Sequence, residues 1–213
     1  MKIIEPSYEI LTKVDGNEVL QFLELCGRKC YKSEDVISSE SARSFVAARI
    51  KTGHESIIEH RSISVHIICD RGVSHEIVRH RLASYSQEST RFCNYSKGKF
   101  GSELTFIKPC FWKEGSAEYI TWEQVCKFAE QSYLFLTKNN VKPQEARSVL
   151  PNSLKTEIVC TYNLRTWRHF FNLRAAGKAG TPHPQMLQLT VPMLTDFKKM
   201  IPVIFDDIQP FLT

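Results

Sequence analysis

The sequence has no hydrophobic run long enough to cross a membrane. No stretch of roughly 18 consecutive apolar residues occurs. Met1 to Pro6 lack the apolar stretch and cleavage site of a secretory signal. Hydrophobic residues make up 42% of the 213 residues and charged residues 24%, both close to the globular average. We therefore expect a globular, non-membrane protein that buries a core without covalent cross-links.

Several common site motifs are also missing. The sequence contains no P-loop and no G-x-G-x-x-G pattern, so the usual nucleotide-binding folds are not indicated. Cys26 and Cys30 lie one helical turn apart, but no second Cys or His pair follows at zinc spacing. His54 and His60 are not in the H-E-x-x-H register of zinc hydrolases. We predict no metal site, seven reduced and mostly buried thiols, and a cytoplasmic location.

Acidic residues are scarce in two arginine-bearing segments. Residues 158–195 contain no Asp or Glu, and residues 77–102 contain only Glu88. The basic side chains of the two segments are Arg79, Arg81, Arg91, Lys97, Lys99, Arg165, Arg168, Arg174 and Lys178. Such segments are typical of anion sites, although two solvated basic faces would give the same pattern. The net charge of +5 permits acidic ligands without requiring nucleic acid.

Hydrophobic periodicity predicts a mixture of helices and strands. Expected strands are 3–11, 62–69, 104–107 and 154–162. Expected helices are 17–31, 39–51, 73–82, 116–139, a short one from 143, 164–176, and one from 184 that the prolines at 192 and 202 break. With no repeat and no linker, the sequence predicts one domain over residues 1–213 with an α/β or mixed α+β fold.

One arginine of the helix predicted over 164–176 lies on the wrong side of the helix. Arg174 falls within the apolar arc, whereas Arg165, Arg168 and His169 lie on the polar side. Because burying an unpaired charge is costly, Arg174 should face a carboxylate, a phosphate or an acidic ligand. The alternative is a frayed helix end, where Arg174 turns out into water.

The segment from residue 79 to residue 91 is rich in directional hydrogen-bonding groups. Its arginines suit phosphate oxygens, and Ser89 and Thr90 would complete a phosphate cradle. Gln87 and Glu88 would read a base edge or a sugar hydroxyl. A basic surface loop is the alternative. No G-x-S-x-G elbow surrounds Ser89, so we favour a binding role for it over nucleophilic attack.

Four motifs, in order along the chain, resemble the flavin-dependent thymidylate synthase family. Arg79-His80-Arg81, followed after seven residues by Ser89, reproduces the family's R-H-R-x7-S signature. Residues 53–60 resemble its H-E-(S/T)-x-x-E-H segment, and residues 146–151 its A-R-x-x-L-P segment. Residues 163–174 resemble its C-terminal block of Asn, Arg and His residues.

This resemblance implies a specific reaction and assembly. The family methylates dUMP to dTMP, with 5,10-methylenetetrahydrofolate as carbon donor and FAD, reduced by NADPH, as the source of hydride. Its protomer is a single domain with a central mixed or antiparallel sheet flanked by helices. Four copies form a homotetramer whose active sites lie between subunits, and its ligands are small molecules rather than nucleic acid or membrane.

The resemblance also implies two sets of site residues. The FAD contacts are Ser56, Arg79, His80, Arg81, Gln87, Asn163, Arg165 and His169. The dUMP contacts are Glu76, Arg79, Gln87, Glu88, Ser89, Thr90, Arg91, Arg147 and Arg174. Arg91 and Arg147 would hold the phosphate, and Arg174 would be the catalytic residue that polarises the uracil ring.

Three positions depart from the family pattern. Glu76 stands where glutamine is common, Phe92 replaces a frequent tyrosine, and the acid of the signature segment is shifted by one position to Glu88. The glycine-rich residues 177–183 are predicted to form a mobile loop over the site.

Two other functions fit the sequence: a basic nucleic-acid- or nucleotide-binding protein without redox turnover, and a relative that binds its ligands but has lost turnover.

Overall fold

Two sheets organise the computed structural model, which describes residues 1–98 and 101–211. Lys99, one of the basic side chains noted above, lies outside these residues. The strands are β1 (Lys2–Ile4), β2 (Ser7–Ile10), β3 (Ser62–Asp70), β4 (Ala83–Gln87), β5 (Thr105–Ile107) and β6 (Lys155–Asn163). β1 pairs in parallel with β5, with Lys2 opposite Thr105. The other four strands form one sheet in the order β2-β3-β6-β4.

The strand predicted over residues 3–11 is in fact two strands, so this prediction is corrected. β1 and β2 are separated at Pro6 and belong to different sheets. Proline has no amide hydrogen to donate to a strand ladder, and it therefore ends the first pairing. The predicted strands 62–69, 104–107 and 154–162 match β3, β5 and β6 to within one residue at each end.

Seven α-helices and three 3-10 helices lie among the described residues. The α-helices are α1 (Gly16–Lys29), α2 (Ser41–Lys51), α3 (Arg71–Ile77), α4 (Ala117–Lys138), α5 (Pro143–Ala146), α6 (Leu164–Arg174) and α7 (Pro184–Met200). The 3-10 helices are Glu34–Val36, Glu55–His60 and Arg147–Val149. Asp15, Asp70, Ser116 and Asn163 cap α1, α3, α4 and α6 with side-chain oxygens that accept backbone N–H groups.

The predicted break at Pro192 is wrong. α7 continues through Pro192, which lies on its exposed face. Leu189, Met193 and Phe197 of the same helix are buried. This packing outweighs the single hydrogen bond that proline cannot make inside a helix.

The chain divides into two compact units. The first contains residues 1–7, 67–79 and 85–159, and the second contains the rest of the described chain. The core of the first unit is built on Phe106, Cys126 and Tyr133. The second unit has an aromatic core in which Trp167 stacks on Phe171, with ring centroids 5.6 Å apart. The single domain predicted over residues 1–213 stays a prediction.

All seven cysteines are free thiols, as predicted, but their burial is less complete than expected. Cys69, Cys126 and Cys160 are buried, whereas Cys30 and Cys110 are exposed and the other two are intermediate. None of the helices in the described residues is long and apolar enough to cross a membrane. Within the same residues, no group of three or more His, Cys, Asp or Glu side chains is placed to hold a metal ion.

Candidate active site

The start of α6 places three polar side chains on one face of the second unit. β6 runs directly into α6, and Asn163 Oδ1 accepts the Thr166 backbone N–H at 2.8 Å. Arg165, His169 and Asn172 then follow at i, i+4 and i+7 spacing, which places them on one side of the helix. The helix cap at Asn163 and the helical spacing of the three side chains are therefore enough to produce this polar face.

This polar face forms one wall of a cleft of about 370 Å³, which we call the α6 cleft. Its lining residues are Glu55, Glu59, Arg81, Leu82, Asn163, Arg165, Thr166, Arg168, His169 and Asn172. Four of the predicted FAD contacts, Arg81, Asn163, Arg165 and His169, are thus brought together in one place.

Two carboxylates of the cleft pair with its arginines. Arg165 Nη1 lies 2.6 Å from Glu59 Oε1, and Arg165 Nε lies 3.7 Å from Glu55 Oε2. Both acids come from the H-E-S-x-x-E-H segment, so the structure joins this motif to the C-terminal block. Arg81, which is exposed, adds a further cation to the cleft wall.

The buried arginine of α6 is Arg168, not Arg174, and the sequence prediction is corrected on this point. Arg168 is 5% exposed, and its guanidinium contacts both oxygens of Asp207 at 2.7 and 2.8 Å. It also donates to Glu55 Oε1 at 3.1 Å and to the Ile204 carbonyl. Burial alone would lower the pKa of Arg168, but its carboxylate partners outweigh burial and raise that pKa. A helical wheel misses this because the residues that cover the polar side of α6 are remote in sequence.

Arg174 is half-buried at the C-terminal end of α6 and is held by the imidazole of His80. Arg174 Nε lies 3.2 Å from His80 Nε2, so the side chain does not simply turn out into water. His80 is 4% exposed, and its ring packs edge-on against Phe170, with centroids 4.9 Å apart. Burial, followed by the charges of Arg174 and His169, lowers the pKa of His80 to about 4.

Gln87 lies at the end of β4, a strand that the sequence analysis missed. α3 ends at Ile77, short of the predicted Leu82, which instead adopts a left-handed conformation with φ 61°. Gln87 Nε2 donates to Ser74 Oγ at 2.9 Å and to Thr156 Oγ1 at 3.2 Å. Its amide is therefore held by protein groups of the first unit.

Glu88 has a partly buried network of its own in the first unit. Its carboxylate accepts from Tyr95 Oη at 3.0 Å and from Lys155 Nζ at 3.1 Å. Lys155 also bonds Glu157. Burial, and then the charge of Glu88, raises the pKa of Tyr95 well above its usual range. These contacts hold the carboxylate of Glu88, the shifted acid of the signature segment, against other side chains of the first unit.

Two of the predicted dUMP contacts, Thr90 and Arg147, meet in the first unit. Arg147 Nη1 lies 3.4 Å from Thr90 Oγ1, which joins the A-R-x-x-L-P segment to the R-H-R-x7-S segment. Ser89 Oγ accepts the backbone N–H of Arg91 at 3.3 Å. The Arg91 guanidinium lies 5.2 Å from the centroid of the Phe92 ring. Arg91 and Arg147 are both exposed.

Ser56, Arg79 and Glu76, three further predicted site residues, do not line the α6 cleft. Ser56 is exposed on the 3-10 helix Glu55–His60 and does not line the α6 cleft. Arg79 is exposed just beyond the C-terminal end of α3, and its backbone N–H bonds the Glu76 carbonyl at 3.3 Å. Glu76 is half-buried on α3.

Sequence reasoning missed several lining residues of the α6 cleft. Asn172 Oδ1 is buried and has no hydrogen-bond partner within the described residues, which leaves an acceptor for a ligand. The i, i+7 spacing from Arg165 was the signal that could have found it. Leu82 is 82% exposed in its left-handed conformation, and strained non-glycine residues of this kind cluster at functional sites.

Comparison with known sequences decides which family these motifs represent. The family described as thymidylate synthase complementing protein matches residues 11–203. A flavin-dependent thymidylate synthase from Corynebacterium aurimucosum is 33% identical over 90% of this chain and 81% of its own. One from Geobacter sulfurreducens is 32% identical over 87% and 80%, and one from Mycobacterium tuberculosis 31% over 96% and 84%.

The chain belongs to the flavin-dependent thymidylate synthase family. Its fold is also similar to that of a UMP/dUMP methylase, PolB, from Streptomyces cacaoi, crystallised with 5-Br dUMP. The TM-score is 0.79 at 20% identity, covering 97% of this chain and 96% of the other. This likeness confirms the mixed α/β fold class that the sequence predicted.

The buried Arg168 pair should matter more for stability than its exposed neighbour. Arg168→Met leaves Asp207 without its paired arginine and Glu55 with only the 3.7 Å contact to Arg165, and we expect the free energy of unfolding to fall by about 3 kcal/mol. Arg165→Met removes a half-exposed pair from the same helix and should cost less than about 1 kcal/mol. Urea denaturation of both variants measures the two losses, and equal losses would contradict this assignment.

The lowered pKa of His80 makes stability depend on pH. The unfolded chain binds a proton at His80 near pH 6.5, whereas the folded chain binds it only near pH 4. Stability is therefore retained above pH 6.5 and lost as pH falls towards 4, by about 2 kcal/mol between pH 7 and 4.5. Arg174 and His169 are the charged or titratable groups that disfavour the protonated ring.

His80→Gln provides the control, because glutamine does not titrate. Urea denaturation at pH 7 and at pH 4.5 should show a smaller loss for this variant than for the unmodified chain. An equal loss in the two proteins would mean that His80 titrates normally in the folded state.

Proposed function

We propose that the chain is a thymidylate synthase that methylates dUMP to dTMP with a bound flavin. The observation that carries this proposal is the α6 cleft, where motif residues from three separate segments meet. His80, the residue before Arg81 of the cleft lining, accepts a hydrogen bond from Arg174. The printed names of its curated relatives support the reaction, and the methylase with a similar fold was crystallised with a dUMP analogue.

The α6 cleft offers groups that fit FAD. Arg81 and Arg165 suit the oxygens of a diphosphate, and His169 adds a further polar contact. The buried acceptor of Asn172 suits the N–H donor of an isoalloxazine ring. When bound, the reduced flavin supplies the hydride that completes the methyl group. Asn163, Ser56, His80, Arg79 and Gln87 remain FAD contacts implied by the resemblance.

We propose that Ser89, Thr90, Arg91 and Arg147 hold the phosphate of dUMP. The hydroxyl and guanidinium groups of this cluster are the donors that phosphate oxygens require, and two of its four residues are cations. Ser89 then acts by binding rather than by nucleophilic attack. Glu76, Arg79, Gln87 and Glu88 complete the proposed nucleotide site.

Arg174 is the proposed catalytic residue. Its charge stabilises negative charge that develops on the uracil ring as electron density moves towards carbon 5, which then attacks the one-carbon unit. Arg174 is half-buried, and a charge in such surroundings acts more strongly than one in water. The carbon donor is 5,10-methylenetetrahydrofolate, and NADPH reduces the flavin.

We propose that the chain functions as a homotetramer in the cytoplasm, with active sites that draw on several copies. The supporting observation is an exposed apolar face on α4, where Phe128 is 71% exposed and Phe135 is 66% exposed. Ile120 and Val125 flank them on the same helix and are 43% and 55% exposed. An apolar face of this kind is typical of an interface between copies.

The nucleic-acid-binding alternative gains no support from the basic segments. Of the four cations in residues 158–195, Arg168 is buried against Asp207 and Glu55, and Arg174 is half-buried. A basic face that binds a phosphate backbone needs cations that are free to exchange counterions.

Spectroscopy combined with product analysis tests the proposed reaction. Purified protein should show a flavin absorbance that bleaches with NADPH under anaerobic conditions, and it should form dTMP once dUMP and the folate are added. Arg174→Ala should abolish dTMP formation and retain the flavin, because Arg174 does not line the α6 cleft that is proposed to hold FAD. Lys178→Ala, an exposed cation from the same segment, should leave turnover unchanged.

Two results would overturn the proposal. A protein that stays colourless when offered FAD would exclude the flavin. Normal dTMP formation by Arg174→Ala would remove the role assigned to that arginine.

The α4 face generates a separate prediction about assembly. Phe128→Glu places a charge at the centre of the apolar face and should lower the mass in solution from that of four copies, as measured by light scattering. Thr195→Glu adds the same charge at an exposed position on α7 and should leave the mass unchanged. A tetramer that survives Phe128→Glu would show that α4 does not form the interface.

A further inference from the structure

We propose that His80 is a positioning residue whose imidazole accepts a hydrogen bond from Arg174 and fixes the direction of that guanidinium. The family resemblance assigns His80 to FAD instead. The inference rests on the proposed function only in so far as Arg174 acts on the uracil ring. The hydrogen bond itself can be tested without any turnover.

The chemistry of the two side chains determines which atom donates. Arg174 Nε lies 3.2 Å from His80 Nε2, and an arginine N–H can only donate. His80 Nε2 must therefore present its lone pair, which places the ring proton on Nδ1. A doubly protonated ring would have no acceptor and would repel the guanidinium. The lowered pKa of His80, which follows from burial and from Arg174 itself, keeps the ring neutral at neutral pH.

Packing holds the imidazole in place. Its ring lies edge-on to Phe170, and the Tyr162 centroid is 6.4 Å away. With only 4% of His80 exposed, the ring is a rigid acceptor rather than a mobile surface group. Its neighbours Arg81 and Leu82 line the α6 cleft, but His80 does not. His80 therefore contacts Arg174 without being part of the lining of that cleft.

A single contact at Nε is enough to orient the whole arginine head group. The guanidinium is planar, so fixing the direction of Nε–H fixes the plane and the directions of the other N–H donors. Arg174 ends α6, where backbone restraint is weakest, and an external anchor is most useful there. The anchor lowers the cost of ordering this side chain when the transition state forms.

Two substitutions at one position separate positioning from packing. His80→Phe retains an aromatic ring against Phe170 but removes the acceptor, whereas His80→Gln supplies a neutral amide oxygen as acceptor. We expect His80→Phe to lower kcat for dTMP formation by roughly 10- to 100-fold, with KM for dUMP and flavin content changed by less than about threefold. His80→Gln should recover kcat to within about fivefold of the unmodified chain.

The Arg174 Nε–H resonance provides a second readout that needs no turnover. In arginine-labelled protein, with the signal assigned by its loss in Arg174→Lys, hydrogen exchange at Nε should be slow in the unmodified chain and in His80→Gln. It should be fast in His80→Phe. If the phenylalanine variant does not fold, His80→Leu takes its place in both experiments.

Three results would overturn the inference. Equal loss of kcat in His80→Phe and His80→Gln with unchanged Nε exchange would show that the acceptor is irrelevant. Normal kcat in His80→Phe would show that the anchor is not needed. Loss of flavin from His80→Phe, with normal kcat after reconstitution, would return His80 to the cofactor. If the unmodified chain makes no dTMP, the proposed function fails, but the exchange measurement still tests the hydrogen bond.

Discussion

The buried charge of Arg168 is the constraint on which the cleft depends. Its guanidinium joins α6 to Glu55 on the 3-10 helix and to Asp207 near the C-terminal end of the described chain. A buried cation is tolerable only with all its partners in place, so these contacts fix how α6 is rotated. That rotation is what turns Arg165, His169 and Asn172 towards the cleft.

The helices and strands were largely predictable because their apolar residues recur with regular periods. The exceptions have local causes. Pro6 divides one predicted strand between two sheets. The left-handed Leu82 precedes β4, a polar strand that has no hydrophobic alternation from which it could be predicted. At Pro192 the sequence predicted a helix break that does not occur, because buried neighbours on α7 keep the helix intact. Local rules hold wherever tertiary packing does not oppose them.

Several residues of the candidate site could be predicted from the sequence, but their hydrogen-bond and ion-pair partners could not. Motif resemblance picked out Arg81, Arg165 and His169, which do share one cleft. It could not reveal that Glu88 is held by Lys155, because Lys155 lies on β6 and is remote in sequence. Pairing between remote segments leaves no periodic trace in a sequence, and it is this pairing that decides which charged groups remain available to a ligand.

The distribution of thiols has a practical consequence for work on this protein. Each of the two units contains one exposed cysteine, Cys110 in the first and Cys30 in the second. Neither lines the α6 cleft. The natural chain therefore offers one attachment position per unit for a fluorophore or spin label, with no engineered residue. The same two thiols are where unwanted cross-links between molecules would begin under oxidising storage.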